Sequence, residues 1–218
     1  MDYGVRVLRF ADYPVVPWRN GGGVTREVAA SAVAMASANR DPGGDLPPVP
    51  APTPAWRISM ATVDSEVPFS DFGGRTRLLG VVEGDGLELT VDGRMSRLRP
   101  GEKFGLFAGG APASARPLGG ASLDLGLIFD PARARAELLP IGAGERDIVG
   151  LIWFVVSLVD GLELALNGSP AATLGHRDTA ALDLRTAPIA RLSLAVPTAA
   201  APVAPASTPV AYLISIAS

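Results

Sequence analysis

A turn rhythm that occurs twice constrains this chain more than any other feature. Two apolar runs, residues 78–82 and 87–91, flank Glu83-Gly84-Asp85-Gly86, and a second turn follows at Asp92-Gly93. Asp-Gly between β-prone runs is a hairpin signal, because the turn needs positive φ and glycine adopts it without steric cost. The same phrasing returns downstream. Asp160-Gly161-Leu162-Glu163-Leu164 repeats Asp85-Gly86-Leu87-Glu88-Leu89, and Asn167-Gly168 repeats Asp92-Gly93. Both turns are displaced equally (161 − 86 = 168 − 93 = 75). Short strands with a turn about every eight to twelve residues give a β-sandwich or barrel, and an equal offset across two turns argues for two copies of one barrel in the chain.

The phrase from Val81 to Gly93, followed by Leu98-Arg99-Pro100-Gly101-Glu102, resembles a cupin, a β-barrel of jelly-roll type. With the repeat, the resemblance implies an all-β, RmlC-like cupin jelly roll arranged as a bicupin. The first barrel would cover residues 1–130 and a degenerate second barrel 131–218, with the N-terminal strand free to cross over. Many cupins hold a metal on two histidines and a glutamate. Aligned on Gly84, the glutamate position holds Arg77. The histidine positions fall on Asp71 and Gly73, or on Ser70 and Phe72, and the last histidine falls on Pro112. The resemblance therefore implies a barrel without its metal, and no cofactor is expected. Arg77 puts a planar donor fork, suited to carboxylate or phosphate, where an anionic ligand would stand.

A narrower resemblance lies in Pro17-Trp18-Arg19-Asn20-Gly21-Gly22-Gly23-Val24-Thr25-Arg26-Glu27, in Trp56-Arg57-Ile58-Ser59-Met60-Ala61, and in Pro68-Phe69-Ser70-Asp71-Phe72. These blocks, in this order, are similar to the HutD/Ves family of cupin-fold proteins, often encoded beside histidine-degradation enzymes. The family is treated as small-ligand binding or regulatory, without established catalysis. The chain departs from it at Gly73, where proline is common, and at Asp124-Leu125-Gly126-Leu127, where asparagine is usual at the third position.

Alternation in Trp56-Arg57-Ile58-Ser59-Met60 puts Trp56, Ile58 and Met60 on one face and Arg57 and Ser59 on the other. That second face is solvent in a plain sandwich and cavity in a ligand-binding barrel. The resemblance implies the cavity, with Arg77 beside Arg57, Trp18 and Phe69 at its mouth, and Asn20, Thr25, Ser59 and Ser70 supplying hydrogen bonds. The ligand expected is a small carboxylate, with histidine-breakdown intermediates such as formylglutamate or urocanate as candidates. Two other readings stand beside this one. The chain could be a metal-free cupin isomerase or related enzyme, or a scaffold for protein contacts.

Composition closes off several classes. The 218 residues carry a net charge of −3 and no cysteine, so neither nucleic-acid binding nor a disulfide framework is indicated. The single histidine, His176, sits in a turn of the second repeat, where a solvated side chain is expected. Glu83 and Asp85 likewise read as solvated turn residues. The N-terminus lacks the apolar core of a signal peptide, so the expectation is a cytoplasmic protein with no membrane partner and a homodimer left open. Residues 148–159 read as one buried strand, residues 131–139 as a helix linking the barrels, and residues 30–55 and 199–209 as Pro/Ala-rich loops.

Overall fold

The computed structural model describes residues 4–18, 23–31, 53–102, 104–185, 189–197 and 208–217. Among them no helix is long and apolar enough to cross a membrane, and the helical content is one 3-10 turn, Phe10–Asp12. Three short strands open the chain: β1 (Arg6–Leu8), β2 (Val15–Pro17) and β3 (Val24–Ala30). Eight more follow: β4 (Trp56–Val63), β5 (Val67–Pro68), β6 (Thr76–Glu83), β7 (Leu87–Val91), β8 (Arg94–Leu98), β9 (Gly105–Ala108), β10 (Ala113–Pro117) and β11 (Ser122–Phe129). Then come β12 (Arg135–Ile141), β13 (Gly144–Val149), β14 (Ile152–Ser157), β15 (Leu162–Leu166), β16 (Ser169–Leu174), β17 (Thr179–Asp183), β18 (Ile189–Ala195) and β19 (Ala211–Ala217).

Strand order makes the duplication explicit. The run β4-β11-β6-β9 in one sheet faces β5-β10-β7-β8, and β12-β19-β14-β17 faces β13-β18-β15-β16. Strand for strand, the second set repeats the first, and each set is a jelly roll of two four-stranded layers. The additions differ. β3 and β2 extend the first large sheet beyond β4, whereas β1 crosses over and pairs with β17 of the second.

The turns carry the repeat at atomic level. Asp92 and Gly93 have φ of 49° and 74°, and Asn167 and Gly168 have 50° and 78°, so β7–β8 and β15–β16 are hairpins closed by two left-handed residues. The Glu83-to-Gly86 turn is different. β6 pairs with β11 and β9, while β7 pairs with β8 and β10. The expected hairpin is instead a corner where the chain leaves one layer for the other. Its glycines are needed for close approach as much as for φ. A Cβ on Gly84 would stand 2.5 Å from Ser122 Oγ, and one on Gly86 would stand 2.3 Å from the Leu98 carbonyl oxygen.

Two other expectations are corrected. Residues 131–139 are not a helix. Asp130 caps a single turn, accepting from Ala132 N at 2.9 Å through Oδ1 and from Ala134 N at 2.9 Å through its carbonyl. The chain then extends as β12, paired with β19 along its length. Good helix formers yield here to a partner strand and to burial of Leu138. Residues 148–159 are two strands in opposite layers, β13 and β14, parted by a bend at Gly150-Leu151.

The main apolar core lies between the two barrels. Trp56, Ile58 and Met60 of β4, Leu78 and Val82 of β6, and Leu125 and Leu127 of β11 pack with Leu138, Phe154, Tyr212 and Ile214 of the second set. The interior of the second barrel is filled by Leu162, Leu164, Leu182, Leu192 and similar side chains. The first barrel has an apolar interior at one end only, around Val63, Leu79, Val81, Leu87 and Leu89.

Candidate functional site

Because Trp56, Ile58 and Met60 face the second barrel, alternation turns Arg57, Ser59 and Ala61 into the first barrel, on the same face as Val63. On β6 the same parity places Arg77 inside with Leu79 and Val81. On β11 it places Asp124, Gly126 and Ile128 inside. The register aligns these residues into three rows. Ile128 stands opposite both Arg57 and Arg77, Gly126 opposite Ser59 and Leu79, and Asp124 opposite Ala61 and Val81. β3 extends the rows, with Glu27 opposite Ser59 and Thr25 opposite Ala61.

Arg77 is buried, and its guanidinium is enclosed by aromatic rings. The Cζ atom lies 4.3 Å from the centroid of Phe69, 5.5 Å from Phe72 and 5.4 Å from Phe107. Nη1 donates to the Ser70 carbonyl at 3.3 Å. Arg57 is half-buried, with Cζ 5.8 Å from the centroid of Phe72. Neither guanidinium forms an ion pair among the described residues. Burial lowers the Arg77 pKa to about 10, Asp124 works against that shift, and the charge of Arg57 adds to it. Asp124 is buried and accepts from Ala61 N at 3.1 Å through Oδ1. Burial raises its carboxyl to about 7, opposed by that hydrogen bond and by Arg77.

The remaining expected residues distribute unevenly. Trp18 and Phe69 each pack, half-buried, against the first-barrel core, and Trp18 Nε1 donates to Thr25 Oγ1 at 2.7 Å. Thr25 is thus already engaged as an acceptor. Ser59 is buried in the middle row, whereas Ser70 is exposed and reaches Arg77 through its carbonyl oxygen rather than its hydroxyl. Asn20 lies outside the described residues. His176 is half-buried, and its backbone N donates to Asp160 Oδ1 at 3.3 Å. Asp124, Phe72 and Phe107 were not anticipated as site residues. The alternation of Asp124-Leu125-Gly126-Leu127 carried the signal for Asp124, since Leu125 and Leu127 match the core face of β4.

Two surface depressions lie away from this constellation. One, of about 530 Å³, is lined by β15 and β16 around Glu163, Pro170 and Thr173. The other, of about 730 Å³, opens between β8 and β9 around Met95, Ser96 and Leu106. Neither contains a buried charge, so the chemistry concentrates on the inner face of the first barrel. No group of three or more His, Cys, Asp or Glu side chains converges among the described residues.

A sequence profile of the HutD family matches residues 10–201. The chain belongs to the HutD family. An uncharacterized 21.2 kDa protein from the region 3′ of hutC in Pseudomonas putida is 40% identical over 135 residues. That match covers 62% of this chain and 63% of the relative, so the chain spans somewhat under two thirds of its length. The structure of HutD from Pseudomonas fluorescens SBW25, obtained in a formate condition, superposes with a TM-score of 0.72 at 29% identity, covering 98% of each chain. A conserved protein of unknown function from Pseudomonas aeruginosa PAO1 superposes equally well, with a TM-score of 0.72 at 30% identity over 97% of each chain. In this HutD protein the stretch matched by the family profile includes both arginines of the row and the rings of Phe69, Phe72 and Phe107 that enclose Arg77.

Proposed function

We propose that this protein binds a small carboxylate on the inner face of its first jelly roll, held by Arg57 and Arg77. One observation carries the reading. Two guanidinium groups share one ring on a largely buried face, with no ion pair among the described residues. Burying like charges together is costly unless an anion compensates them, and the planar fork of arginine matches a carboxylate better than a point charge would. Phe69, Phe72 and Phe107 supply the apolar wall typical of a small-molecule site, and Ser59 adds a hydroxyl.

Family membership and the hutC neighbourhood of the Pseudomonas putida relative favour a role in histidine utilisation. The protein would sense a carboxylate intermediate such as formylglutamate or urocanate rather than transform it.

Thermal-shift measurement against a panel of mono- and dicarboxylates, with amine and sugar controls, tests the reading. Carboxylates should raise the melting temperature in a dose-dependent way, and the controls should not. A panel in which no carboxylate shifts the transition would overturn the proposal.

A further inference from the structure

Among the described residues, every sheet edge is guarded except one. The four sheets end in eight edge strands. Natural β-proteins place charges or proline on such strands, because their unpaired N–H and C=O groups otherwise recruit another strand. Here β1, β8, β12 and β13 carry charged residues, and β2, β5 and β16 each carry a proline. β9, Gly105-Leu106-Phe107-Ala108, has neither, and no charged residue occurs from Phe104 to Ala115. β9 pairs with β6 alone, so the hydrogen-bonding groups along its other side face outward. Leu106, in register with buried Leu78, is 64% exposed, and Met95, across the gap on β8, is 62% exposed.

The duplication shows what such an edge takes. β17 holds the place of β9 in the second barrel, and its outer edge is covered antiparallel by β1. β16 also lies against β17, whereas the depression of about 730 Å³ separates β8 from β9. Among the described residues no strand does for β9 what β1 does for β17.

We propose that β9 is a homodimer edge, where the β9 strands of two copies pair antiparallel about a two-fold axis and join their large sheets into one. A second copy fits because a strand is its own antiparallel partner under two-fold symmetry, so one contact satisfies both open edges. Charge permits it too. Asp92 and Arg94, one of each sign, line the depression, so no net charge there opposes the approach of a second copy. Leu106 and Met95 of both copies lose their exposure. No ligand enters this contact, so it stands apart from the carboxylate reading.

Sedimentation velocity of the full chain over a wide concentration series tests the proposal. Wild type should be a concentration-dependent dimer. Leu106→Lys, which gives β9 the kind of guard that other edges carry, should raise the dissociation constant at least about tenfold, because the two-fold axis brings both lysines into one contact. Ile189→Lys, at a comparably exposed position on β18, should leave it unchanged. A monomer at every concentration, a dimer that Leu106→Lys does not weaken, or one that Ile189→Lys weakens equally overturns the proposal. Hydrogen exchange of wild type decides the matter where Leu106→Lys does not fold. Amides of β9 should be better protected in the dimer than in the monomer reached by dilution, and equal protection in both overturns the proposal.

Discussion

Arg57 and Arg77 stand on either side of Ile128, one from each neighbouring strand, and direct their guanidinium groups at the same ring, Phe72, at 5.8 and 5.5 Å. The rings of Phe69, Phe72 and Phe107 attract a cation at Arg77, but two cations sharing one ring have no ion pair among the described residues to offset their repulsion. Like charges repel on a buried face, and an apolar pair would fill the barrel end at lower electrostatic cost.

If the carboxylate reading holds, Arg77 should contribute to binding at the expense of stability. Arg77→Met keeps an unbranched stem against Phe69 and Phe107 and removes the buried charge. The ligand-free variant should unfold within about 1 kcal/mol of wild type or above it, measured by denaturant titration, while carboxylate-induced stabilisation disappears. A loss of several kcal/mol with binding intact would show Arg77 to be a structural residue.

The raised pKa of Asp124 gives a signed pH dependence. The native carboxyl holds its proton up to about pH 7, whereas the unfolded one releases it near its ordinary 3.8. The native state therefore binds more protons between these values, and the contribution of this group to stability falls as pH rises through that window. Asp178 has the opposite sign, held low by hydrogen bonds from Phe10 N and the Arg9 side chain against its own burial. Its contribution is complete above the usual carboxylate range and does not mask the effect. Arg57, Arg77 and Glu27, the other charged groups on this inner face, are shared by both proteins compared. The stability advantage of Asp124→Asn over wild type should grow between about pH 4 and about pH 7 in thermal melts and level off above that. A difference that stays constant with pH would contradict the buried ionisation.

Much of this fold was legible from turn chemistry. The equal offset of Gly86/Gly93 and Gly161/Gly168 announced the duplication, because left-handed turn residues are hard to replace. What stayed hidden was layer assignment. The Gly84–Gly86 corner and a hairpin turn share the same residue types, and only contacts with Ser122 and Leu98 distinguish them. The helix expected over 131–139 failed for a related reason, since local propensity does not report that β19 waits as a partner. For the site, alternation correctly separated Arg57 and Ser59 from Trp56, Ile58 and Met60. That the apolar side packs against a second barrel, leaving the polar side to face inward, is a tertiary fact. Asp124 was readable by the same parity but lay in a block otherwise noted only for its glycine.

The joint between the barrels makes its own prediction. Gly80 lies beneath Tyr212, and a Cβ on it would stand 3.1 Å from the ring Cζ and 3.3 Å from the hydroxyl oxygen. Gly80→Val should destabilise by about 1–3 kcal/mol through overpacking. Combined with Tyr212→Leu, its added cost should shrink, a non-additivity that a double-mutant cycle in denaturant measures. Strict additivity would mean the two residues do not limit each other.

The N-terminal crossover depends on Asp178, whose carboxylate accepts from Arg9 Nη1 at 2.6 Å, Phe10 N at 2.9 Å and Gly175 N at 2.9 Å. Asp178→Ala leaves those donors without their acceptor and should release β1 from β17. Hydrogen exchange at Val7, paired in register with Ala180, should accelerate while amides of β14 remain protected. Unchanged protection at Val7 would show that strand pairing alone holds the crossover.

Calorimetric titration of a small dicarboxylate into wild type, Arg57→Ala, Arg77→Ala and Arg77→Lys tests the central claim most directly. Each alanine substitution should weaken binding by about ten- to a hundred-fold. Arg77→Lys should be nearly as harmful as Arg77→Ala, because an ammonium cannot reproduce the fork. Wild-type binding that survives unchanged in both alanine variants would place the carboxylate elsewhere and contradict the account.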